Sequence, residues 1–174
     1  MNIKVDYLIC KDETLTTEID NVYGFFQINI AGNLYGYCPE NGIGLVGSEL
    51  LSIWFEQLTE VYCLIHNKDY ILINDIDSIN SLIEIKKYNE SLLEISHIVS
   101  NSKDEIGVIG LKPLDYFEYG LWKNICIERE CFSREVYRVI NQFVSEVSDI
   151  NPLYLEANWL TRIISIMKRA HIKD

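Results

Sequence analysis

The stretch that decides the fold is SELLSIWFEQLTEVYCLIH, residues 48–66. Its apolar side chains recur every three or four residues, a spacing that places them on one face of an α-helix. Ser48 is a residue type that caps helix N-termini, and Glu49 would follow in the first turn, where the helix dipole favours an anion. The sequence therefore predicts a helix that ends near His66. Its apolar face would consist of Leu51, Trp54, Phe55, Leu58, Val61, Tyr62 and Ile65.

The residues after this helix alternate between apolar and polar, which is typical of half-buried strands. A strand is predicted from Tyr70 to Ile76, followed by a hairpin of residues 82–88 and 92–99 that turns at Asn89-Glu90-Ser91. One face of the hairpin carries apolar side chains and is expected to join the core. The other carries Glu84, Lys86, Glu94 and Ser96 and is expected to face solvent. Further short strands are predicted at residues 106–111 and 121–128.

Strands are also predicted before the helix, at residues 3–9, 22–30 and 34–37, and two helices close the chain. Ser133 is the expected cap of the first closing helix, and Asn151 with Pro152 the expected start of the second. Consecutive strands with separate helices predict an α+β fold, with a largely antiparallel sheet packed against a central helix and two C-terminal helices. At 174 residues the chain is expected to form a single acidic domain, residues 1–174. The predicted core contains Trp54, Phe55, Leu58, Ile83, Ile85 and Ile95.

Negative charge is concentrated in the first two thirds of the chain. Residues 1–119 contain 19 acidic residues and 7 lysines, a net charge of −12, whereas the remainder carries +1. Such an acidic surface argues against nucleic acid or an anionic membrane as a partner, because phosphate binding needs clustered Lys and Arg. Five irregularly spaced cysteines, with no signal peptide and no apolar span, predict reduced thiols in the cytoplasm.

No motif in the chain predicts catalysis or a cofactor. Gly42-Ile-Gly44-Leu-Val-Gly47 has the form GxGxxG, but the apolar strand that precedes a dinucleotide-binding loop is missing, and Glu40 and Glu49 would repel phosphate. The interpretation favoured here is a glycine-rich turn that binds no NAD, ATP or GTP. Asp75 and Asp77 have the spacing to share a Mg²⁺ ion, although a solvated turn is favoured. The three histidines are scattered, and His97 is expected to be a satisfied, half-buried imidazole.

Aromatic residues in loop-like surroundings are candidates for a protein interface, since Tyr and Trp are enriched at interface centres. These candidates are Tyr35, Tyr37, Tyr116 and Tyr119. Trp54 is assigned instead to the core, from its place in the helix.

The amphipathic segment Ser48–Leu58, the strands of residues 70–99 and the small acidic form together resemble the immunity proteins encoded beside bacterial polymorphic and contact-dependent-inhibition toxins. The resemblance covers about half of the chain and carries no catalytic residues. It implies a cytoplasmic, non-enzymatic protein that binds and neutralises a cognate toxin domain, often a nuclease with a basic cleft. Two other interpretations remain: a small enzyme or nucleotide-binding domain that uses residues 42–47, and a structural adaptor subunit.

For the immunity interpretation the expected toxin-binding set lies on the polar hairpin face and the neighbouring loops. Its carboxylates would meet the basic cleft, and its two tyrosines would act as aromatic anchors. The set is Asp75, Asp77, Glu84, Glu90, Glu94, Tyr35 and Tyr37. No cofactor, metal, nucleic acid or membrane is expected to take part.

Overall fold

A computed structural model describes residues 2–10, 19–39, 48–102 and 107–170 of the protein. Within these ranges the chain forms ten strands and three α-helices. The strands divide between two sheets in which every pairing is antiparallel. The prediction of an α+β fold with antiparallel strands and a helix before the hairpin is therefore confirmed.

The first sheet contains β1 (Ile3–Ile9), β2 (Tyr23–Ile30), β3 (Asn33–Tyr37) and β4 (Glu49–Leu50). β2 is central, with β1 along one side and β3 and β4 along the other. Between β2 and β3 the chain turns over two residues, Ala31 and Gly32, whose φ angles are 52° and 90°. Two central residues of positive φ match the right-handed twist of the strands, so the turn fixes the register of this hairpin.

The second sheet is built around the predicted hairpin, which is confirmed with the expected turn. Its strands are β5 (Tyr70–Asn74), β6 (Ser81–Lys87), β7 (Leu92–Val99), β8 (Ile109–Gly110), β9 (Glu118–Tyr119) and β10 (Ile125–Glu128). They lie in the order β10-β7-β6-β5-β8, and β9 pairs with β7 beyond the end of β10. Ile85 lies opposite both Ile71 and Ile95, so the apolar face predicted for the hairpin continues onto β5.

The helices are α1 (Leu51–Leu64), α2 (Arg129–Ile150) and α3 (Asn158–Ala170), with a 3-10 helix at Pro152–Glu156 between the last two. The predicted helix starts at Ser48 and Ser133 are wrong, whereas the predicted cap at Asn151-Pro152 is present but opens a 3-10 helix and not an α-helix. Glu49 and Leu50 pair with Gly24 and Tyr23 of β2, so the chain is still extended at Ser48 and α1 begins at Leu51.

The two C-terminal starts differ because α2 begins earlier than predicted and α3 begins later. Ser133 is a buried residue inside α2. The Asn151 side chain does cap a helix, accepting a hydrogen bond from the Leu153 amide, but that helix is the 3-10 segment. Within this segment Leu153 is exposed and Tyr154 is buried.

Aromatic rings of α1 join the first sheet to α2. Trp54 stacks on Phe26 of β2 with ring centroids 4.4 Å apart, and Phe55 stacks on Phe143 of α2 at 3.7 Å. The predicted core residues Trp54, Phe55, Leu58, Ile83, Ile85 and Ile95 are all buried in one cluster. That cluster draws on both sheets and all three helices, so α1 is the central element of the core.

The outer face of the second sheet is also covered. Leu72, Leu82 and Ile98 form a second buried cluster, against which Leu114 and Phe117 pack. Both covering residues belong to the irregular segment between β8 and β9. This segment changes the environment of the polar hairpin face, which the sequence predicts to be solvent-exposed.

Candidate functional site

The seven predicted toxin-binding residues do not form one surface. Asp77, Glu90 and Tyr37 are exposed, and Glu94 is half-buried. Tyr35, Asp75 and Glu84 are buried. Glu90 lies at the hairpin tip, whereas Asp77 lies in the turn at the opposite end of β6. The expectation of a single exposed acidic face is therefore wrong for three of the seven residues.

Glu84 is the clearest correction, with only 2% of its surface exposed. Its Oε1 accepts a hydrogen bond of 2.8 Å from the Tyr70 hydroxyl, and its Oε2 lies 3.4 Å from Lys86 Nζ. Burial, reinforced by the Glu84 carboxylate, raises the pKa of Tyr70 well above its usual range. The carboxylate lies opposite Leu72, on the face of the second sheet whose cluster of Leu72, Leu82 and Ile98 packs against Leu114 and Phe117.

Tyr35 and Asp75 are buried because they meet where the two sheets join. The Tyr35 hydroxyl donates to Asp75 Oδ2 at 2.5 Å. The other carboxylate oxygen accepts the backbone N–H groups of Asp77 and Ser78, at 3.1 and 3.2 Å. One carboxylate therefore ties β3 to the β5–β6 turn and also holds the turn in shape. The predicted turn at Asp75 is present, but this aspartate is buried where a solvated one is expected.

His97 and Ser81 extend this buried cluster, and their arrangement argues against a serine nucleophile. His97 Nδ1 accepts the Leu121 N–H at 2.8 Å, and Nε2 lies 3.0 Å from Ser81 Oγ. A backbone N–H can only donate, so in the neutral ring the proton sits on Nε2. Burial lowers the pKa of His97 and so favours the neutral ring. The Asp75 carboxylate offsets part of this shift. Nε2 therefore donates to Ser81 and cannot act as its base.

Glu49 borders the cluster in a half-buried position. Burial, followed by the nearby Asp75 carboxylate, raises the pKa of Glu49 to about 7, and Asp77 adds to the rise. The Trp54 indole N–H lowers the pKa of Glu49 and so offsets part of this rise. Trp54 Nε1 and Glu49 Oε2 nevertheless make no hydrogen bond of normal geometry within the described residues. Three carboxyl groups thus converge beside the start of α1, where Asp77 Oδ2 also accepts the Leu50 N–H at 3.0 Å.

Replacing Glu49 with Gln should raise the free energy of unfolding by about 1–2 kcal/mol at pH 8, with little change at pH 4. The folded-state pKa of about 7 exceeds the ordinary value of 4.5, so wild-type stability falls as pH rises between these values. Full burial would make this shift worth about 3 kcal/mol, which solvent screening of a half-buried group reduces. Urea unfolding at pH 4 and pH 8 checks the prediction. An equal difference between the two proteins at both pH values would contradict it.

Two segments next to this cluster carry the most exposed of the large apolar side chains that the structure describes. Ile79 is 92% exposed, Tyr116 82% and Leu121 74%. We call residues 77–80 and 115–121 the turn surface. Tyr116 and Tyr119 are two of the predicted interface aromatics, and both are exposed, although Tyr119 lies in β9 and not in a loop. Periodicity does not predict the exposure of Ile79 and Leu121. A single large apolar residue between turn-forming residues is itself a signal of an exposed contact residue.

Hydrogen bonds hold the two segments of the turn surface side by side. The Ser100 N–H donates to Asn80 O at 2.9 Å, and Ser100 Oγ donates to Tyr116 O at 2.7 Å. Val99 pairs with Ser81 on one side and with Glu118 on the other, which places those two backbones about 10 Å apart. Gly120 passes directly over the His97 ring, where a Cβ atom would lie 2.2 Å from Nδ1. The turn surface is therefore a defined platform on ordered backbone.

No group of three or more His, Cys, Asp or Glu side chains placed to hold a metal ion occurs among the residues that the structure describes. The glycine-rich loop at residues 42–47 and the neighbouring Glu40 lie outside the described ranges. In those ranges no helix is long and apolar enough to cross a membrane.

Comparison with known proteins gives no match to a family model, a curated protein or a solved structure. A function must therefore follow from the residues of this chain.

Proposed function

We propose that this protein is a non-enzymatic immunity protein that binds a toxin domain with a basic cleft, such as a nuclease, and blocks it in the cytoplasm. The supporting observation is where the negative charge lies. Residues 1–119, with a net charge of −12, supply nine of the ten strands of the described chain, whereas α2 and α3 belong to the part that carries +1. The net negative charge therefore belongs to the part of the chain that supplies β1 to β9, α1 and their connecting segments, and not to the part that forms α2 and α3.

A surface of this kind suits a basic partner. A nuclease attracts phosphate with Lys and Arg, and an acidic protein that enters the same cleft associates quickly, because long-range attraction steers the encounter. The proton on His97 Nε2 and the burial of the Tyr35–Asp75 pair support a binding role rather than a catalytic one.

The surface residues that remain candidates differ in part from the predicted set. Asp77, Glu90 and Tyr37 are exposed and Glu94 is half-buried, so a partner can reach all four. Asp115 and Glu118 join them, because both are exposed on the turn surface. Tyr35 and Asp75 are buried and support the turn surface through their hydrogen bonds, whereas Glu84 is no longer a candidate.

The proposal predicts a toxin gene beside the gene of this protein, and the test is co-expression of the two genes. Cells that make the toxin alone should die, and cells that also make the wild-type protein should survive. With purified proteins, association should slow at least about tenfold between roughly 0.05 and 0.5 M salt, since screening removes the steering. Dissociation should change far less, because short-range contacts govern it. Cell death despite abundant, folded wild-type protein would overturn the proposal.

A further inference from the structure

We infer that the turn surface is the docking surface for a basic protein partner, one that offers Lys or Arg side chains around an apolar socket. This inference rests on the proposed function and specifies its interface. The first reason is apolar exposure, since Ile79, Tyr116 and Leu121 are more exposed than any other large apolar side chain described. Ser100 joins the backbones of the two segments that carry these side chains, and large exposed apolar groups on neighbouring segments, edged by polar residues, mark protein interaction sites.

The second reason is charge. Residues 77–80 and 115–121 contain three acidic residues, Asp77, Asp115 and Glu118, and no Lys or Arg. Lys123, two residues further on, places its Nζ 5.3 Å from the centroid of the Tyr119 ring, so the carboxylates still outnumber the cations around the surface. All three acidic residues are exposed. Apolar anchors edged by carboxylates complement a basic surface with an apolar centre, in which the anchors supply affinity and the rim supplies steering.

The third reason is that the backbone beneath these side chains is already ordered. Asp75 holds the turn through the N–H groups of Asp77 and Ser78, while Ser100 bonds to both segments. His97 fixes the Leu121 N–H. A surface that is ordered before binding loses little conformational entropy when a partner docks, so more of the contact energy appears as affinity.

A second copy of the chain is a poorer occupant than a basic partner. A two-fold symmetric dimer places the same patch against itself. Asp77, Asp115 and Glu118 of the two copies would then face one another, and like charges across an interface oppose association. The same carboxylates repel nucleic acid and anionic lipid.

The experiment measures binding of a catalytically inactive form of the toxin domain that the proposed function predicts in the neighbouring gene. Tyr116→Ala and Ile79→Ala should each weaken binding at least about tenfold, as expected for anchors at the centre of an interface. The matched controls are Tyr88→Ala and Leu153→Ala, which remove a 63% exposed Tyr and a 57% exposed Leu elsewhere on the protein. These controls should bind within about twofold of wild type. Thermal unfolding of each variant excludes loss of the fold.

Charge is tested separately with a pair of exposed glutamates. Glu118→Gln should slow association with the inactive toxin domain by about two- to fivefold, and Glu130→Gln on α2 should not. Equal effects of the two changes would remove the turn surface as the charged contact.

The possible failures are distinguishable. A toxin domain that does not bind the wild-type protein overturns the proposed function, and the docking surface falls with it. A domain that binds wild type, turn-surface variants and controls equally leaves the function intact and overturns the docking surface alone. Sedimentation of the free protein tests whether a second copy of the chain occupies the turn surface instead. A wild-type dimer that Ile79→Ala converts to a monomer would overturn the basic partner and show a self-association interface.

Discussion

Replacing Phe55 with Ala should lower the free energy of unfolding by about 3–5 kcal/mol, the cost of removing a fully buried Phe and leaving a cavity. The side chain is 0% exposed and stacks on Phe143 at 3.7 Å with an interplanar angle of 3°. It also meets the edges of Tyr7 on β1 and Phe26 on β2. Because these partners belong to α2 and to the first sheet, one truncation loosens three elements at once.

Urea unfolding, followed by circular dichroism, measures this loss. Phe117→Ala is the matched control, because Phe117 is half-buried and packs against the small cluster on the outer face of the second sheet. Its removal should cost less than about 2 kcal/mol. If the two variants were equally stable, the stacked rings of Phe55 and Phe143 could not be the main connection between α1 and α2.

The parts of the fold that are predictable from sequence are those set by local periodicity. The apolar stripe of residues 51–65 defines α1, and alternation over residues 83–86 and 93–96 defines the β6–β7 hairpin. In both cases neighbouring residues determine which side chains face the core. The helix starts at Ser48 and Ser133 are predicted incorrectly, and the cap predicted at Asn151 is present but opens a 3-10 helix. A local cap signal competes with contacts distant in sequence. At Ser48 the winning contact is the pairing of Glu49 and Leu50 with β2.

The exposure of the candidate site is harder to predict than the fold, for the same reason. Alternation assigns Glu84 to a polar face, but it does not reveal that Leu114 and Phe117, about 30 residues later, cover that face. Asp75 has the local sequence of a solvated turn. It is buried by Tyr35, which lies 40 residues earlier in the chain. Irregular segments carry no period, so the elements that cover a sheet cannot be read from the pattern of the sheet itself.

Asp75 to Ala should lower the free energy of unfolding by about 2–4 kcal/mol and disorder the turn surface. The change removes the acceptor of the 2.5 Å bond from Tyr35 and of the bonds from the N–H groups of Asp77 and Ser78. Hydrogen bonds to a charged group are each worth about 1.5–3 kcal/mol, and a buried hydroxyl without an acceptor adds its own cost. Relief of the repulsion between Asp75 and Glu49 offsets part of this loss.

Asp75→Asn is the control that separates hydrogen bonding from charge. Its side-chain oxygen still accepts the two backbone N–H groups, and its amide can donate to the Tyr35 oxygen, so we expect a loss of only about 1 kcal/mol. Both variants remove a negative charge beside Glu49, so the pKa of Glu49 should fall in each, which a pH titration followed by NMR detects. Amide hydrogen exchange at residues 77–80 should accelerate in the Ala variant and remain slow in the Asn variant. Equal acceleration in the two would show that the charge of Asp75, rather than its hydrogen bonds, orders the turn surface.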